Sequence, residues 1–156
     1  MKRNRNLQPL SRQHHNALMA VLLLKKGVRK KASLSTMQMF VAKFWNDDLN
    51  NHFKQEENLF VSFNSRSTEA SKLYEQMKSE HEQMRQMVHQ ISSEEVNYEL
   101  LEHFYTALES HIRFEERIYF PLIESVATDE ELLHIGNITE QLPDTTCIHF
   151  PVKFWE

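Results

Sequence analysis

The chain has 156 residues, with 18 basic and 22 acidic side chains and a net charge of −4, so it lacks the basic footprint of a nucleic-acid binder. Its single cysteine, Cys147, excludes an intrachain disulfide and a thiolate-built zinc or iron–sulfur site. Two Gly and four Pro among abundant Leu, Met, Glu, Gln and Lys set an all-α expectation, and the unusual count is nine His.

The apolar run from Ala17 to Leu24 is too short for a membrane span and carries no cleavage site, so a protein of the cytoplasm with no membrane partner is expected. Pro9-Leu10-Ser11 reads as a helix start, and apolar Leu18, Val21, Leu22 and Leu24 lead to a basic end at Lys25 to Lys31, giving a first helix over about 11–30. Ser33 or Ser35 caps a second helix whose stripe is Met37, Phe40, Val41, Phe44, Trp45, Leu49, His52, Glu56, Phe60 and Phe63. After the polar break 64–68, Leu73, Met77, His81, Met84, Val88 and Ile91 define a third. Ser92-Ser-Glu-Glu95 has the pattern of a capping box and opens a fourth, with Leu100, Leu101, Phe104, Leu108, His111, Glu115, Ile118 and Leu122 inward. Pro121 should kink or end that helix within a turn. Thr128-Asp-Glu-Glu131 repeats the capping pattern for a short fifth helix to about 140.

The expected architecture is an antiparallel up-down-up-down four-helix bundle over 8–142. A tail over 143–156, apolar yet irregular from Cys147 to Trp155, packs on the bundle or on a partner, a second copy of the chain included.

Two segments nearly copy each other, His52-Phe-Lys-Gln-Glu56 and His111-Ile-Arg-Phe-Glu115. Histidine and glutamate four residues apart lie on one face of a helix, about one turn from each other, which is a chelating pair. A lone His precedes each pair. His15 with Leu18, Val21 and Leu22 aligns with His81 with Met84, Met87 and Val88, so the chain reads as a repeated helix pair with approximate two-fold symmetry. His14 and His15 are about 100° apart on a helix and cannot both face inward; the repeat favours His15. The candidate metal ligands are therefore His15, His52, Glu56, His81, His111 and Glu115. Glutamates on an apolar stripe carry a desolvation cost unless paired or metal-bound. Two ions, each with two His and bridged by Glu56 and Glu115, would remove that cost, and imidazole with carboxylate suits iron, manganese or zinc. Glu57 and Glu116, one step round the helix, are solvated or orient His ring N–H groups.

This order of residues, with Leu10-Ser-Arg-Gln-His-His15 before and Phe120-Pro121 after it, resembles the hemerythrin-like, or HHE cation-binding, domains over about 8–126. The resemblance implies a non-haem centre of two Fe ions in a four-helix bundle, with Mn or Zn as substitutes. It also implies binding or sensing of oxygen, nitric oxide, iron or redox state, with oxygen, nitric oxide or peroxide as the small ligand. Oxygen carriers have a fifth histidine where this chain has Arg85, and end in a His-x4-Asp pair where it has Glu115 and Glu116, which points away from oxygen storage.

A redox enzyme of peroxide or nitric oxide metabolism is the alternative reading, with Tyr119 its one redox candidate. Another is an interaction protein with a vestigial site. The ferritin-like arrangement needs repeated Glu-x-x-His, found here only at Glu131 to His134. His89, His103, His134 and His149 have no counterpart in the repeat and read as surface or tail residues.

Overall fold

The computed structural model describes residues 2–141 and 150–156, and these contain helices and no strand. The elements are α1 (Gln8–Arg29), α2 (Leu34–Phe44), α3 (Asn50–Phe60), α4 (Thr68–Ile91), α5 (Tyr98–Phe114), α6 (Phe120–Val126) and α7 (Asp129–Thr139). Two π-helical turns, Trp45–Leu49 and Glu115–Tyr119, join α2 to α3 and α5 to α6 without a break. The bundle thus consists of four long rods and a short last helix. Among the described residues, no helix is long and apolar enough to cross a membrane.

Local chemistry sets the ends. The Ser33 and Ser67 side chains accept from the backbone N–H groups of Thr36 and Ala70, and Thr128 with Glu131 forms the expected capping box. The fourth rod does not start at Ser92. That serine donates its hydroxyl to the Val88 carbonyl and closes α4, while Asn97 caps α5 by accepting from Leu100 N–H at 2.7 Å. A hydroxyl one turn past a helix can bond back to it as readily as cap the next, and here the backward bond wins.

Pro121 does not end the last rod. It sits in the first turn of α6, directly after a π turn, where a missing N–H costs least. The π turn adds one residue to the helical period and moves the inward stripe along by one. Tyr119 and Ile123 are consequently buried, whereas Ile118, expected inward, is exposed and Leu122 is only partly covered.

Two apolar clusters fill the bundle. One gathers Leu24, Met37, Phe40, Phe53, Met84, Leu101, Phe104 and Leu108; the other gathers Leu10, Phe60, Met77, Phe114, Tyr119, Phe120 and Ile123. Where the rods pass from one cluster to the other lie the buried polar residues His14, His52, Glu56, His81, His111 and Glu115. The first cluster is closed by the end of the chain. Phe154 is buried against Gly27, its ring centroid lies 5.1 Å from that of Phe40 in an edge-to-face pair, and Phe150 and Trp155 flank the same Phe40 ring. The earlier part of the expected tail, 143–149 with Pro143, Cys147 and His149, lies outside the described residues.

Candidate metal centre

Five of the six expected ligands converge, and the sixth position is taken by the neighbour of the residue named. His15 is exposed; His14, 3 % exposed, points into the layer. The reason is the phase of α1. Its buried face is His14, Ala17, Ala20, Val21 and Leu24, so small alanines face the core while Leu18 and Leu22 stand out in solvent. Large apolar residues had suggested the opposite face. Counted from His14, burial at +3, +7 and +10 matches Met84, Val88 and Ile91 counted from His81, so the repeat holds one residue earlier than expected.

Two groups of donors form. Glu56, His81, His111 and Glu115 have ligand atoms within 4.8 Å of one another, as do His14, His52 and Glu56. Glu56 belongs to both groups. Its Oε1 is 3.1 Å from His52 Nε2 and 3.4 Å from His81 Nε2, and its Oε2 is 3.5 Å from His14 Nε2. Glu115 also reaches across: Oε1 contacts His111 Nε2 and is 3.6 Å from His81 Nε2, and Oε2 is 3.9 Å from His14 Nε2.

Each imidazole is fixed through its outer nitrogen. Glu116 lies 2.7 Å from His14 Nδ1, Gln13 2.5 Å from His52 Nδ1, Glu57 2.7 Å from His81 Nδ1 and Glu80 2.7 Å from His111 Nδ1. An acceptor at Nδ1 selects the tautomer whose proton is there and leaves the Nε2 lone pair facing inward, the form that binds a cation. Glu57 and Glu116 were foreseen in this role; Gln13 and Glu80 were not, though each directly precedes a first-helix or third-helix ligand. Arg85, which stands where a further ligand would be in oxygen carriers, turns to Glu57 at 2.9 Å instead, and Arg3 contacts Glu116 at 3.2 Å. Both arginines hold the glutamates that hold the histidines.

The donor set fits a metal. His14 Nε2, His52 Nε2 and both carboxylate oxygens of Glu56 and of Glu115 are buried without a hydrogen-bond partner. Fully buried carboxylates left in that state cost several kcal/mol each. His81 Nε2 and His111 Nε2 face each other at 3.0 Å, an arrangement that needs a proton or a cation between the two lone pairs. Metal-free, the protein resolves this with protons. Burial opposes a charged His14, but the bond to Glu116 and the nearby charges of Glu56 and Glu115 outweigh it and raise its pKa to about 10. His81 is likewise raised to about 11, against burial, by Glu115, Glu56 and Glu57. Glu56 is held well below the usual carboxylate range: burial pushes it up, and His52, Glu115 and His14 more than compensate.

Aromatic rings dry the surroundings. Phe53 stacks on His81 at 3.9 Å and Phe120 on His14 at 5.3 Å. Tyr119 is 1 % exposed beside Phe60 and Phe114, and burial, with the charges of Glu115 and Glu56 added, pushes its phenol up. His89, His103 and His134 are exposed and take no part in the cluster. Glu131, of the discarded Glu-x-x-His spacing, pairs with Arg66.

Among known families, the hemerythrin HHE cation-binding domain model matches residues 7–123, which spans every member of the cluster. Neither a curated protein nor a solved structure matches the chain.

Proposed function

The chain belongs to the hemerythrin HHE cation-binding family, and from that premise we propose that it is a non-haem di-iron protein that binds or senses a small ligand: oxygen, nitric oxide or peroxide. The observation that carries the reading is the set of six orphaned donor atoms on His14, His52, Glu56 and Glu115, enclosed between two apolar clusters. One iron would be held by His14 and His52, the other by His81 and His111, with Glu56 and Glu115 shared. Bound there, the iron pair would supply open coordination positions and electrons for a small ligand.

The chain's own residues do the rest. Glu116, Gln13, Glu57 and Glu80 orient the four imidazoles. Phe53 and Phe120 exclude water from the two ring faces they cover. The order in which the rods pass the apolar clusters, second to first in α1 and α4 and first to second in α3 and α5, supports the alternating antiparallel arrangement. A reducing, cytoplasmic setting suits a chain with a single cysteine.

An enzymatic reading has one observation in its favour, the buried Tyr119 beside Glu115 and Glu56, and the same experiment addresses it. Protein expressed with ample iron should carry two metal ions per chain. After anaerobic reduction, titration with oxygen or nitric oxide should change the optical spectrum stoichiometrically. Catalytic consumption of peroxide would favour the enzyme, and a metal content well below two would sink the di-iron reading.

A further inference from the structure

His14, His52 and His111 line a cavity of about 590 Å³ whose walls also draw on the π turn before α3 and on α7. Sites for organic ligands run from about 300 to 1,000 Å³, whereas one water occupies about 30 Å³ of liquid. A diatomic ligand would use a small part of this space. Ala17, Phe44 and Ile112 give it an apolar floor, and its lining also includes the amides of Gln55 and Asn58 and the charged side chains of Asp47, Asp48 and Lys54. At the cavity's inner end lie His14 and His52, which with the shared Glu56 and Glu115 would hold one of the two metal ions. That position has room for a donor from outside.

We propose that this cavity binds a small amphiphilic monocarboxylate, with its carboxylate at the His14 and His52 metal position and its apolar body along the floor. The proposal rests on the dinuclear reading. Two divalent cations set against the two buried carboxylates leave a net positive inner end, which an anionic oxygen donor matches, and the apolar floor rewards a hydrocarbon body. The Gln55 and Asn58 amides accommodate the far end of the ligand, and Asp47 in the same lining is paired with Lys43 at 2.6 Å.

The test is a chain-length series, acetate, butyrate, hexanoate and octanoate, titrated calorimetrically into the iron-loaded full chain. Each methylene buried on the floor should tighten binding about fourfold, so hexanoate should exceed acetate by at least tenfold. Gln55→Trp together with Asn58→Trp, at partly and fully exposed positions, should narrow the mouth and abolish that gain at unchanged metal content. A flat series on protein holding two metal ions, or a gain that survives the double substitution, overturns the proposal. Protein that takes up no iron would defeat the metal reading and this proposal together, whereas a flat series on loaded protein defeats this one alone.

Discussion

Substituting His14 and His15 one at a time decides which face of α1 carries the metal donor. The His14 ring is 3 % exposed, lies 15° from parallel to the Phe120 ring, and is tied to Glu116 at 2.7 Å. Loss of an outer hydrogen-bond partner alone lowers metal affinity about 10–100-fold, and loss of the donor itself should exceed that. His14→Ala is therefore expected to weaken the His14 and His52 position by at least about 100-fold, leaving one metal ion per chain after mild chelation. It also truncates a buried ring and leaves Glu116 with Arg3 alone of its two named partners, which should lower metal-free stability by about 2–4 kcal/mol. His15→Ala removes an exposed ring, so its stability should stay within about 0.5 kcal/mol of the parent and both metals should remain. Elemental analysis across a chelator titration, with denaturant unfolding of the metal-free proteins, reads both effects. Two metals retained in His14→Ala and one lost in His15→Ala would mean that α1 is rotated by about 100° from the orientation described here.

The same reasoning extends to the groups around the ligands. Glu57→Gln and Glu116→Gln keep size but weaken the acceptor at His81 and His14, and each should lower metal affinity about 10–100-fold in a competition titration. Because His14 and His81 in the metal-free fold are raised to about 10 and about 11, above the ordinary value of 6.5, their stabilisation is complete below about pH 6.5. It is lost as pH rises through those raised values, so metal-free melts should fall off steeply toward pH 11, and loading at pH 7 should release about two protons to a pH indicator. Phe154→Ala empties a buried site on Gly27, Met37 and Phe40 and should cost about 3 kcal/mol in a denaturant melt. Gly27→Ala places a methyl group 2.6 Å from Met37 Sδ and 2.7 Å from Phe154 and should cost about 1–3 kcal/mol by the same measurement.

The site was legible because its chemistry follows helical spacing. His52 with Glu56 and His111 with Glu115 are each one turn apart, and no tertiary detail is needed to put both members on one face. α1 was misread because hydrophobic size was taken for burial. Leu18 and Leu22 are exposed at 38 % and 44 %, while Ala17 and Ala20 are buried, and small residues on the inner face leave room for neighbouring rods to come close. The two π turns were invisible for a different reason. One extra residue in a turn leaves composition and propensity unchanged and appears only as a phase slip, here the passage from His111 and Glu115 to Tyr119 and Ile123 instead of Ile118 and Leu122.

The outer hydrogen bonds turn the internal repeat into a mutual one. The second glutamate of each His-x3-Glu-Glu segment secures the lone histidine of the other half: Glu57 holds His81, and Glu116 holds His14. Conversely, the residue before each lone histidine secures the paired one, Gln13 holding His52 and Glu80 holding His111. Neither helix pair can orient both of its histidines alone, so the centre needs both pairs docked, and bound metal should stabilise their docking as well as the local turns. The one break in the symmetry is chemical: Gln13 offers a neutral amide where Glu80 offers a carboxylate. An imidazole backed by a carboxylate is the stronger donor, so His111 should bind its metal more firmly than His52, and exchange should begin at the His14 and His52 position. Gln13→Glu is accordingly expected to slow loss of the more labile metal to a chelator. Faster loss in that variant would refute the assignment of Gln13 as the weaker support.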